Sequence, residues 1–99
     1  MGGIEHTVRG DFAPDAESLM RILRILRAPD GCPWDRAQDR HTLTKSLAGE
    51  CAEAIDAIDR EDPADICEEL GDLLMNVLFQ VVIAEEKREF TLDFHFLIR

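Results

Sequence analysis

Two pairs of carboxylates, Glu50 with Glu53 and Glu69 with Asp72, are each spaced three residues apart. On a helix that spacing sets the members of a pair side by side on one face. Asp56 continues the first row, and Asp65, Glu69, Asp72, Asn76 and Gln80 draw a polar line along a segment that is otherwise apolar. The stretch from Gly49 to Leu74 holds ten of the chain's 21 acidic residues and one basic residue, Arg60. If the two segments fold back on each other, four carboxylates converge. Two like charges about 4 Å apart repel by about 4 kcal/mol at an effective dielectric near 20. No Lys or Arg lies on either acidic row, so such a cluster calls for raised pKa values or a bound metal ion. An all-oxygen donor set suits Mg2+ or Mn2+, which keep several waters and take up substrate phosphates, rather than zinc. A di-iron centre would need Glu-x-x-His and an EF-hand its Asp-x-Asp-x-Asp-Gly loop, and neither occurs. A solvated helix face produces some of these spacings by itself; a polar line across a helix that reads as buried is harder to obtain that way.

The elements that must position these groups read as helices. Leu19, Ile22, Leu23 and Leu26 recur at helical spacing after Pro14 and Asp15, and Ala28-Pro29-Asp30-Gly31 stops them. Residues 28–39 read as a loop, because they combine two prolines, a glycine and the only tryptophan. Leu43, Leu47, Cys51, Ile55 and Ile58 predict a second helix over roughly residues 42–59, begun at Asp39 or His41-Thr42, with these five as its apolar stripe. Asp62-Pro63-Ala64-Asp65 supplies an N-cap, a first-position proline and a first-turn carboxylate for a third helix running to about Lys87. That helix is apolar around much of its circumference, as expected of one surrounded by others, and Gly71 is expected to allow a close helix approach. Beyond Phe90 there is room for a turn and the start of a fourth helix.

The expectation is therefore an all-α fold, an antiparallel helical bundle of three long helices plus a short C-terminal element, completed by dimerisation. Residues 1–13 read as a flexible leader and 14–99 as one domain. A chain of 99 residues buries only about 60–65% of its unfolded surface, which makes a partner subunit, in a homodimer or higher homo-oligomer, expected. The formal net charge of -10 argues against nucleic acid and against an anionic membrane as partners. Cys32, Cys51 and Cys67 are odd in number and lack Cys-x-x-Cys spacing, which fits a reducing cytoplasm rather than a disulfide framework or a zinc site.

Cys32-Pro33-Trp34-Asp35, Gln38, Glu50-x-x-Glu53, Asp56-Ala57-Ile58 and Glu68-Glu69-Leu70-Gly71-Asp72-Leu73-Leu74 together resemble the MazG nucleotide pyrophosphohydrolases, over about residues 19–92. The resemblance implies a dimerising all-α fold, a nucleoside triphosphate substrate and hydrolysis to monophosphate and pyrophosphate. It implies Mg2+ ligation by Glu50, Glu53, Glu69 and Asp72, which would then be the catalytic set. Basic residues should steady the phosphates, and Arg36, Lys45, Lys87 and Arg88 are the candidates, against the alternative of solvated helix-end cations. Trp34 stacks on a base or anchors the hairpin; Asn76, where the family often has Gln, orients a ligand or lines an interface. The sequence departs from the family twice. Gly49 stands where the first acid of Glu-Glu-x-x-Glu is usual, and Arg99 ends the chain before the usual basic, His- and Pro-containing segment. A catalytically impaired dimeric module that binds nucleotide or a partner protein is the alternative these departures leave open.

Overall fold

The computed structural model describes residues 15–92. The expected leader and most of the expected C-terminal element lie outside the described residues. Among the described residues the protein is all-α, with helices α1 (Ala16–Arg27), α2 (Pro33–Ala37), α3 (Thr44–Arg60) and α4 (Pro63–Glu86). The chain divides between Ala37 and Gln38 into two compact units.

In the first unit, the Asp15 carboxylate accepts the Ser18 N–H at 2.8 Å and caps α1. These hydrogen bonds hold its carboxyl below the usual carboxylate range. Met20, Ile22 and Leu23 are buried. Beyond α1 the chain turns tightly, with Cys32 N–H bonded to the Leu26 carbonyl at 2.8 Å. A Cβ on Gly31 would stand 2.3 Å from the Leu26 carbonyl oxygen, so only glycine fits this turn. The stretch expected to be a loop contains the five-residue helix α2. Pro33 opens it where no N–H is required, and Arg36 N–H closes it onto the Cys32 carbonyl at 3.0 Å. Five residues are too few to show a period, so the loop-forming composition hid it.

In the second unit, α3 and α4 pack as a hairpin across Glu61 and Asp62. Glu61 takes the left-handed conformation at φ 56° to end α3, and the Asp62 side chain accepts the Ala64 N–H at 3.1 Å to begin α4. At the other end, Gln80 Nε2 donates to the Arg40 carbonyl at 3.0 Å, and Arg40 pairs through both terminal nitrogens with the Glu89 carboxylate. The late part of α4 thus lies beside the turn that precedes α3, which makes the pair antiparallel.

Three expectations need correction here. Asp39 does not begin α3; its carboxylate accepts the N–H groups of His41 and Thr42, each at 2.8 Å, and so closes the preceding turn. Of the expected apolar stripe, Leu43 is buried and Leu47 half-buried, but Cys51, Ile55 and Ile58 are exposed, and Ala54 and Ala57 are buried within α3 instead. Gly71 makes no close approach, since a Cβ there would meet nothing within 4 Å. Along α4 the burial is uneven: Leu78, Phe79, Val82, Ile83 and Ala84 are buried, whereas Leu70, Leu74 and Val77 are exposed.

Candidate metal centre

The antiparallel register brings the two acidic pairs onto one side of the hairpin. Glu50 and Glu69 are half-buried and Asp72 is exposed, and each offers a carboxylate oxygen within 4.8 Å of the others. Glu53 is exposed, and its carboxyl stands within hydrogen-bonding reach of both Glu50 and Glu69. The Glu69 carboxyl is pushed up to about 7, first by hydrogen bonding with Glu53, then by burial and the charges of Glu53, Asp72 and Glu50. Burial raises Glu50 as well, followed by the charges of Glu53 and Asp72. One oxygen on each of Glu50 and Glu69 is buried with no hydrogen-bond partner. An unpartnered buried polar atom costs about 1–3 kcal/mol, and a hard cation among these oxygens would remove that cost. The donor set contains oxygen only and leaves Asp72 open to solvent, which fits Mg2+ or Mn2+ carrying waters and phosphate oxygens.

Asn76 follows Asp72 by one turn, and its Nδ2 donates to the Asp72 carbonyl at 3.2 Å. The bond goes to the backbone, so it fixes Asn76 and does not aim the Asp72 carboxylate. Lys45 lies in the first turn of α3, five residues before Glu50. Lys87 lies about 22 Å along α4 from Asp72, where its charge helps lower the pKa values of Asp39 and Glu89. Arg88, at φ 58°, follows it in the left-handed conformation. Arg36 and Trp34 belong to the first unit. The Arg36 guanidinium donates to the Pro29 carbonyl at 2.7 Å, and Trp34 is 61% exposed.

Arg60 is the residue sequence reasoning missed. Its Nη1 bonds Asp56 Oδ2 at 2.5 Å and its Nη2 bonds Asp65 Oδ2 at 3.1 Å. Asp56 and Asp65 end the two acidic rows, so a cation does meet both. The four-residue spacing from Asp56 was the available signal; the contact across the hairpin to Asp65 was not visible without the fold.

An acidic, oxygen-rich cluster between two antiparallel helices defines an all-α protein with a candidate cation site, and comparison with known proteins gives the particular family. Residues 38–96 match the family model described as the MazG nucleotide pyrophosphohydrolase domain. The chain belongs to the MazG family. It is 46% identical over 72 residues to Bacillus subtilis YabN, described as uncharacterized, covering 73% of this chain and 15% of that protein. It is 44% identical over 77 residues to the Thermotoga maritima nucleoside triphosphate pyrophosphohydrolase/pyrophosphatase MazG, covering 78% and 30%. Identity to the Escherichia coli K12 nucleoside triphosphate pyrophosphohydrolase is 43% over 75 residues, covering 75% and 28%. The chain thus spans under a third of the length of each of these relatives. No solved structure gives a significant match. Among the described residues, no helix is long and apolar enough to cross a membrane.

Proposed function

We propose that this chain hydrolyses nucleoside triphosphates to nucleoside monophosphate and pyrophosphate, with Mg2+ or Mn2+ held by Glu50, Glu53, Glu69 and Asp72, in nucleotide-pool house-cleaning in the cytoplasm. The observation that carries the reading is the pair of buried, unpartnered oxygens on Glu50 and Glu69 beside a third carboxylate within 4.8 Å. The names of the Thermotoga and Escherichia relatives support the reaction. When bound, the metal offsets charge on the triphosphate and lowers the pKa of the attacking water. The chain's own part is positioning. Glu50, Glu69 and Asp72 present their oxygens from two packed helices, so little reorganisation is needed when the substrate arrives. Asn76 offers a neutral amide one turn away.

The exposed residues Ile55, Ile58, Leu70, Leu74 and Val77 lie, by helical register, on the side of the hairpin away from the acids. They support self-association into a dimer or higher oligomer, with the acids left accessible.

One observation favours the second reading, a catalytically impaired dimeric module that binds nucleotide or a partner protein. Gly49, one turn before Glu53, supplies no carboxylate, and a Cβ there would meet nothing within 4 Å. The position is open, and no packing within the chain requires glycine.

The test is a panel of nucleoside triphosphates incubated with Mg2+ or with EDTA, the products read by phosphorus NMR. Pyrophosphate is expected, and it should disappear in EDTA. Orthophosphate as the main product, or turnover undiminished by EDTA, refutes the first reading; nucleotide binding without turnover supports the second.

A further inference from the structure

Arg60 is the only basic residue between Gly49 and Leu74, and it reaches both helices of the hairpin. Asp65, its partner on α4, precedes Glu69 by four residues and so shares that face about 6 Å further along the axis. Asp56, its partner on α3, follows Glu53 by three residues. The guanidinium therefore sits at the closed end of the acidic side, one turn from the carboxylate cluster. It is held there by one nitrogen per carboxylate, at 2.5 and 3.1 Å, with its side chain 51% exposed. Exposed ion pairs of this kind are weak, so either is readily exchanged for a better acceptor. A phosphate oxygen pair is such an acceptor, because the planar fork of arginine matches it with two parallel hydrogen bonds. Lys87 lies about 22 Å along α4 from Asp72, whereas Arg60 is one turn from the cluster and bridges both helices.

We infer that Arg60 binds the phosphates that leave as pyrophosphate, turning from Asp65 to the substrate when the triphosphate spans the cluster. The inference rests on the proposed triphosphate reading and adds a direction to it: the β- and γ-phosphates point toward the Glu61–Asp62 turn, and the nucleoside points toward Asn76. Asp65 then acts as a competitor that holds the guanidinium in place until phosphate displaces it.

The experiment measures binding of inorganic pyrophosphate to the full chain in Mg2+ by titration calorimetry, for the unaltered protein and for Arg60→Gln, Arg60→Lys and Asp65→Asn. Circular dichroism confirms the helices of each variant. Arg60→Gln should weaken pyrophosphate by roughly tenfold or more, because a charge-assisted fork is lost. Arg60→Lys should recover only part of that affinity. Asp65→Asn should bind pyrophosphate more tightly than the unaltered chain, by a few-fold, because the competing acceptor is weakened; a purely structural clasp would give unchanged or weaker binding there. Equal affinity in the unaltered chain and Arg60→Gln overturns this inference alone, with the triphosphate reading intact. An unaltered chain that binds no pyrophosphate overturns this inference too, while the triphosphate reading is decided by the product assay with Mg2+ or EDTA.

Discussion

Glu53 on α3 and Glu69 on α4 meet across the hairpin, and hydrogen bonding from Glu53, burial and the charges of Glu53, Asp72 and Glu50 push the Glu69 carboxyl up to about 7. A carboxyl whose folded pKa exceeds its unfolded value binds its proton more tightly in the folded state. Its contribution is nil well below the unfolded value of 4.5, turns unfavourable as pH rises, and is complete above about 7. Without metal, the thermal midpoint should therefore fall between about pH 5 and 7. Mg2+ should raise it more at pH 8 than at pH 5, because protons and the cation compete for the same oxygens. Thermal unfolding at the two pH values, with and without Mg2+, reads this directly; an equal shift at both would contradict it.

Glu69→Gln separates folding from function in the same cluster. Removing the charge should stabilise the metal-free protein at pH 8, since the repelling neighbours lose a partner. It should also lower Mg2+-dependent turnover by at least about a hundredfold, because metal-borne charge stabilisation is worth several kcal/mol. A variant that is less stable and fully active would reverse both expectations.

Gly49 lies within α3 with open space around it. Gly49→Ala should stabilise the protein by about 1 kcal/mol, the ordinary helix-interior difference, without changing kcat. Gly49→Glu should raise kcat by one decade or more while KM moves less, within the range of about 10²–10⁴-fold expected of general-base assistance. Steady-state kinetics beside sedimentation decide it: an intact oligomer with unchanged kcat means the missing acid is not limiting.

The exposed line of Leu70, Leu74 and Val77 on α4, with Ile55 and Ile58 on α3, predicts association at micromolar concentration. Leu74→Asp should shift sedimentation toward the 11.2 kDa monomer, because a charge buried in an apolar contact is costly. If the unaltered chain already sediments as a monomer, this face is not a self-association surface.

Glu61 ends α3 at φ 56°, a conformation that costs most side chains about 1 kcal/mol and glycine little. Glu61→Gly should stabilise the fold by up to about 1 kcal/mol, seen as a rise of several degrees in the thermal midpoint. A fall would show that the Glu61 side chain makes a compensating contact.

Several features were determined by local chemistry and were therefore legible in the sequence. Asp62 and Pro63 dictate where α4 begins, because a cap and a proline act within one turn. The Glu50/Glu53 and Glu69/Asp72 spacings dictate that each pair shares a helix face, since 3.6 residues per turn leave no choice. The two-residue connection Glu61–Asp62 forces the helices to run back on each other.

What only the tertiary structure decided is how the faces meet. Helical periodicity marks Ile55 and Ile58 as apolar but cannot say whether they face a helix of the same chain; it is Ala54 and Ala57 that are buried. Gly71 suggested a close helix approach, yet the packed register leaves it open. The five residues of α2 carry no period to read, and their helix depends on a proline in first position and the Cys32 carbonyl. Arg60 joins Asp65 because the register of α3 against α4 brings them to one level. That register is a property of side chains packed across the hairpin, and no spacing along a single helix encodes it.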